Sequence, residues 1–265
     1  MKETAVNAFG VSLTLGLSLY LWRVLYPATD WGVLTLVPLA LLLFTGSFWA
    51  SDAVFRASIK VAVRVESPLA WIVTGRVRAL LGSTLFTLIA VPLLAWYAIA
   101  STYHEMLLLA FLCCVAPLLF AGVEHKLDDH LTPPFTRATA FSAATIIAVV
   151  FFAPVLAWAN WNFTPQPVAI QTASLEEALQ LGFSQLPERR GWIAEILAPF
   201  YALEYAKLWF VVQVESPKWL SFWYSIDTAL ISIVAARASV VLMSVVQLTA
   251  KVKDESKHTS RRAQR

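Results

Sequence analysis

A charged side chain inside an apolar run is costly to place in hydrocarbon, so it marks the first place to look for chemistry. The sequence has three such residues. Asp227 and Arg237 lie in the last long apolar run, and Arg23 lies near the end of the first. Asp227 and Arg237 are separated by about 15 Å along a helix, so they cannot pair with each other. Arg237 falls near the centre of its run. It must face the bundle interior, a watery cavity or a partner subunit. Its functional reading is a transport pathway, a gate or an inter-subunit contact. Its structural reading is an arginine satisfied by carbonyls or a carboxylate. Arg23 is close enough to an interface to snorkel, and Asp227 is its expected partner at similar depth.

Metal chemistry has one candidate. The polar stretch Glu124-His125-Lys126-Leu127-Asp128-Asp129-His130 puts His125 and Asp129 four residues apart, on one helix face, with His130 next in sequence. A zinc or di-metal site uses three or four protein ligands, and no second cluster supplies the rest. His104 and Glu105 belong to the other side of the membrane, and His258 to the tail. No metal and no cofactor is expected, with His125, Asp129 and His130 the residues to test. Cys113 and Cys114 are neighbours inside an apolar run. Adjacent helical residues point about 100° apart and do not pair readily, so both read as small packing residues. Walker A, GxSxG, HExxH and GxGxxG patterns are missing. An enzyme is disfavoured rather than excluded by their absence.

Pro38, Pro92, Pro117 and Pro154 each fall in one of the four middle apolar runs. A helical proline removes a backbone hydrogen bond and bends the helix. Together they predict kinks that could splay the bundle into an outward-facing vestibule.

The elements that must position these residues follow from composition. The 265 residues are 58% hydrophobic and 14% charged, with a mean hydropathy of +0.66. A soluble domain carries about 25% charged residues, and a soluble chain this apolar would expose adhesive patches. The reading is an all-α integral membrane protein. A crossing takes about 20 apolar residues. Six runs qualify: Ala5–Tyr26, Trp31–Ala50, Ala79–Ala100, Met106–Gly122, Phe141–Ala159 and Leu220–Leu248. The first is read as a retained helix rather than a removable signal peptide.

A seventh stretch, Trp192–Val214, is long enough but contains Glu195, Glu204, Lys207 and Pro199. Charge asymmetry decides its place. With six crossings and the N-terminus inside, the cytoplasmic parts hold fourteen basic residues: Lys2, Arg56, Lys60, Arg64, Arg76, Arg78, Lys126, Arg137, Lys251, Lys253, Lys257, Arg261, Arg262 and Arg265. The outer parts hold four: Arg189, Arg190, Lys207 and Lys218. Cytoplasmic loops carry the excess of Lys and Arg, so both termini are expected in the cytoplasm. The stretch 192–214 is expected on or shallowly in the outer leaflet.

The predicted organisation is a five-helix membrane region (1–159), a small helical cap on the outer, periplasmic face (160–218), a last membrane helix (219–248) and a basic cytoplasmic tail (249–265). The tail lacks apolar periodicity and is expected to be disordered. Within the first region, residues 51–78 read as a basic amphipathic segment. Its stripe Arg56, Lys60 and Arg64 repeats every four residues and suits the anionic inner leaflet. Within the cap, Ser174 and Glu177 form a capping box for a helix predicted to reach Leu181, with Gly182 as its stop.

The expected location is the cell inner membrane. The expected partners are the bilayer, anionic inner-leaflet lipids and other membrane or envelope proteins. Nucleic acid is not expected, because the basic residues follow topology. Three functions compete: a non-enzymatic subunit or accessory of a larger envelope, transport or secretion assembly; a self-contained small transporter or channel; and a membrane enzyme using the 124–130 loop.

Overall fold

The computed structural model describes residues 2–62, 75–133, 135–163, 168–184, 191–213 and 226–263. They form eight α-helices: α1 (Lys2–Leu25), α2 (Leu36–Ala62), α3 (Gly75–Ala100), α4 (Tyr103–Leu127), α5 (Phe135–Phe163), α6 (Leu175–Ser184), α7 (Trp192–Gln213) and α8 (Ile226–Ala263). Two short 3-10 helices, Asp30–Thr35 and Val168–Gln171, complete the described residues, which contain no strand.

Six stretches are long and apolar enough to cross a membrane: Glu3–Leu25, Asp30–Phe55, Arg76–Ala100, Tyr103–Leu127, Phe135–Phe163 and Asp227–Ala250. They correspond one to one with the six apolar runs of the sequence, and the fold is a multi-pass, membrane-type bundle. Its helices are longer than the runs that announce them. Met106–Gly122 becomes Tyr103–Leu127, and Phe141–Ala159 becomes Phe135–Phe163. Hydropathy marks only the apolar part of a helix, and the polar ends are helical too. The start of the predicted last run, 220–225, lies outside the described residues.

α1 shows how these helices bury one face. Ala8, Val11, Leu15, Leu19, Trp22 and Tyr26 recur every three or four residues and are buried. Phe9, Leu13, Leu17, Tyr20 and Val24 lie on the opposite side and are exposed. An apolar helix with one face in the protein and one outside is what a lipid solvent permits.

α8 is different. Of its apolar stretch 72% is buried inside the protein, against 28–33% for the other five, so α8 is the central helix. Small residues let its neighbours approach. Ala235, Ala236, Ala238 and Ser239 are all buried on α8, and α5 presents Ala140, Ala144 and Ala148. On α2, a Cβ at Gly46 would lie 2.6 Å from the side chains of both Val241 and Val245.

Two segments depart from expectation. Residues from Ser51 to Ala62 continue α2 without a break, so the basic stripe starts as an extension of the second crossing helix. Arg56 and Lys60 belong to that extension. Arg64 lies among residues 63–74, outside the described residues, and 75–78 open α3. The tail was expected to be disordered, yet α8 remains helical to Ala263. Between Lys251 and Ala263 the sequence has no glycine or proline. A helix already nucleated gains one backbone bond per added residue, so nothing there stops it.

α6 and α7 pack together. The capping box forms as predicted: the Ser174 N–H donates to Glu177 Oε2 (2.7 Å) and the Glu177 N–H to Ser174 Oγ (3.3 Å). Gly182, however, does not end α6, which continues to Ser184. Its role is packing, because a Cβ there would lie 2.7 Å from Ala202 Cα and from the Tyr201 carbonyl oxygen on α7.

Candidate functional site

Polar and ionisable groups gather at the two opposite ends of the bundle. The α1–α2 and α3–α4 connections, the end of α5 and the start of α8 share one end. Arg23 of α1 donates to the Ser101 carbonyl (3.0 Å) there, and Asn160 of α5 reaches Glu105 of α4. The opposite end carries the α4–α5 turn and the C-terminal parts of α2 and α8.

At the first end, Glu105 is 1% exposed. It belongs to a capping box that opens α4. The Thr102 N–H and hydroxyl donate to Oε2 (2.6 and 2.7 Å), and the Asn160 amide donates to Oε1 (2.8 Å). Both carboxylate oxygens are therefore occupied. Tyr97 of α3 lies among Glu105, Glu204 and Asp227.

α7 brings the rest of this cluster. Gly191, just before it, lies against the Asp30 carboxylate. Phe200 packs on Trp96 at 6.0 Å, and Lys207 forms an ion pair with Asp227 at 2.9 Å. Asp227 thus pairs with α7 and not with Arg23, the partner expected from depth alone. The Trp209 ring N–H donates to the Ala173 carbonyl (2.8 Å), tying α7 to the connection before α6. Burial pushes the Glu204 carboxyl up to about 7, with Asp227 and Glu105 adding to the rise and Lys207 opposing it.

At the other end, α2, α5 and α8 enclose an open cavity of about 740 Å³. Ser47, Ser51, Trp49 and Phe55 line it from α2, Arg137, Phe141 and Ser142 from α5, and Arg237, Ser244 and Thr249 from α8. Arg137 is held in place. It donates to the Ser244 carbonyl (2.8 Å) and to Gln247 Oε1 (3.2 Å), and its Nε lies 3.9 Å from Glu124 Oε1. Arg237 is not held in this way. Its guanidinium carbon is 5.2 Å from the Phe86 ring centroid and 5.6 Å from that of Phe141, within cation–π range. Among the described residues it makes no hydrogen bond or ion pair.

Chemically, this wall is built to bind. It carries two guanidiniums and several hydroxyls on apolar surface, and among the described residues no carboxylate, imidazole or thiol lines it. Such a lining attracts an anion but has no base to activate a nucleophile.

No protein-family model matches the chain, and no curated protein or solved structure matches it.

The structure separates the remaining sequence candidates. Arg23 and Asp227 lie at one end of the bundle, while Arg237 faces the cavity toward the other. His125 sits in the last turn of α4, and Asp129 and His130 in the turn that follows. No group of three or more His, Cys, Asp or Glu side chains able to hold a metal ion occurs among the described residues. Cys113 and Cys114 are both free. Pro92, Pro117 and Pro154 are inside helices. Pro38 instead falls in the first turn of α2, where a missing N–H breaks no intrahelical bond.

Sequence reasoning missed Glu105, Asn160 and the structural part of Arg137. Thr102 and Glu105 do form a capping-box pattern ahead of an apolar run, a signal that was there to read. Asn160 and Arg137 carry no local signal, because their partners are 55 and 107 residues away.

Proposed function

We propose that this chain is a non-enzymatic multi-pass protein of the cell inner membrane, acting as a subunit or accessory of a larger envelope or transport assembly. One observation carries this reading. Arg23, Glu105, Arg137 and Asp227 are each held by groups of the chain itself, whereas among the described residues Arg237 meets two aromatic rings and no hydrogen-bond or ionic partner. A guanidinium near the middle of a crossing helix needs a counter-charge or water. No described residue of the chain supplies one to Arg237, which leaves it open to a partner, and a wall of guanidiniums and hydroxyls on apolar surface suits binding.

The charge asymmetry of the sequence supports an orientation with both termini in the cytoplasm. The cavity then opens toward the inner leaflet. In that frame α6 and α7 form a small cap on the outer face. Contacts of α7 with Trp96 and Asp227 support this arrangement, because both residues lie at the outer ends of their helices.

Purification of the tagged full chain in mild detergent tests the proposal. The expected result is a set of stable co-purifying membrane or envelope proteins. A clean homo-oligomer that conducts a solute in liposomes would overturn it. That outcome belongs to the second reading, a self-contained small transporter or channel, which the open 740 Å³ cavity reaching Arg237 favours.

A further inference from the structure

The geometry points to the α2/α5/α8 cavity as a binding site for the headgroup of an anionic phospholipid. This inference deepens the reading above, since it names what completes Arg237, and it rests on the orientation given there.

Two cations at different depths carry the argument. Arg137 is anchored on the Ser244 carbonyl, near the cavity mouth. Arg237 is seven residues earlier on α8, about 10 Å deeper at 1.5 Å per residue. Its guanidinium lies 5.6 Å from Phe141, and Phe141 is one turn along α5 from Arg137. The two positive charges therefore line one wall of the same space. The charge on Arg237 is unmatched among the described residues, and guanidinium pairs well with phosphate oxygens. Ser47, Ser51 and Ser142 face the same space and make no hydrogen bond among the described residues. They are available to the ester and hydroxyl oxygens of a headgroup.

The rest of the lining selects a lipid over a free anion. Most of the wall is apolar: Ala50, Ala53, Val54, Phe55, Phe141 and Leu248. A soluble phosphate would leave that surface uncovered, whereas a glycerol backbone and the first methylenes of acyl chains would cover it. Trp49 is 47% exposed at the wall, and an exposed indole belongs at the level of lipid headgroups. The volume falls within the range of about 300–1,000 Å³ typical of small-ligand sites. It holds a headgroup and leaves the chains to run out along the exposed helix faces.

Native mass spectrometry of the full chain in detergent gives the test. Phosphatidylglycerol, phosphatidylcholine and inorganic phosphate are added in separate arms. The wild-type chain should retain phosphatidylglycerol about tenfold better than phosphatidylcholine, because the choline cation offsets the phosphate charge that the two arginines attract. R237Q should abolish that preference. S142W keeps both arginines and fills the cavity, so it should lower retention of phosphatidylglycerol as well. Gel filtration of each variant shows whether it is folded.

Equal retention of the two lipids by the wild-type chain would overturn the assignment. A preference that survives both substitutions would also overturn it. Displacement of the lipid by inorganic phosphate would overturn the lipid and leave a simple anion site. If R237Q releases a co-purifying protein without changing lipid retention, Arg237 faces that protein. In that case the lipid assignment falls and the subunit reading stands.

Discussion

Glu105 and Glu204 are both acids at the same end of the bundle, and their surroundings treat them differently. Glu105 accepts three hydrogen bonds in a buried site. Glu105→Ala would remove the buried acceptor that the Asn160 amide and the Thr102 N–H share, which costs about 3 kcal/mol. The thermal midpoint in detergent should fall clearly. Glu105→Gln should fall less, because its carbonyl oxygen still accepts from Asn160.

Glu204 is held by burial, which raises its carboxyl to about 7. The folded state therefore binds the proton more tightly than the unfolded chain does. Stability from this group is complete below the ordinary carboxylate range, about pH 4, and is lost as pH rises through about 7. After correction for the intrinsic base-catalysed exchange rate, protection along α7 should fall between about pH 5.5 and 8, and Glu204→Gln should remove that fall. An unchanged pH profile in the variant would place the effect elsewhere. The capping role of Glu105 was readable from Thr102 and Glu105, but its Asn160 partner was not. Glu204 was legible only as a charge too many for a crossing helix, because burial by α7's own packing is set by tertiary contacts.

At the scale of elements, two glycines let one helix settle closely on another. Gly46 lets α2 settle on Val241 and Val245 of α8, and Gly182 lets α6 settle on the backbone of α7. Gly46→Val should lower stability by about 1–3 kcal/mol through overpacking, and it should also disturb the cavity beside Ser47. Gly182→Ala meets backbone and cannot be relieved by a rotamer change, so it should loosen α6 from α7 while sparing the six-helix bundle. Gly122 is the control, because a Cβ there meets nothing within 4 Å. Gly122→Ala should be neutral or slightly stabilising through helix propensity. Limited proteolysis across the α6–α7 connection separates these outcomes.

Element existence was well marked in the sequence, since six apolar runs gave six long helices. Element ends and glycine roles were not. Gly182 has the composition of a helix stop, and only the position of α7 shows it to be a contact. The extension of α2 past Ala50 and of α8 through the basic tail escaped a reading based on hydropathy, because polar residues continue a helix as well as apolar ones do.

On the scale of the whole molecule, one central helix is wrapped by five others. α7 is tied to one end of that bundle through Trp96 and Asp227, and the two-arginine cavity opens toward the other end. The number of long apolar helices was legible because the cost of burying charge in hydrocarbon is large and local in sequence. The cavity was not legible, since it is built from three helices distant in the chain. Its proposed encounter with anionic lipid depends on which end faces the cytoplasm, and so does the proposed role of α6 and α7.

That orientation has a direct measurement. Single cysteines at Glu3→Cys, Ser184→Cys and His258→Cys, in a chain carrying Cys113→Ala and Cys114→Ala, are exposed to a membrane-impermeant maleimide in sealed right-side-out vesicles. The account predicts labelling of Ser184→Cys alone, with Glu3→Cys and His258→Cys labelled only after permeabilisation. Labelling of His258→Cys in the sealed vesicles, with Glu3→Cys protected, would mean an odd number of crossings and would contradict it.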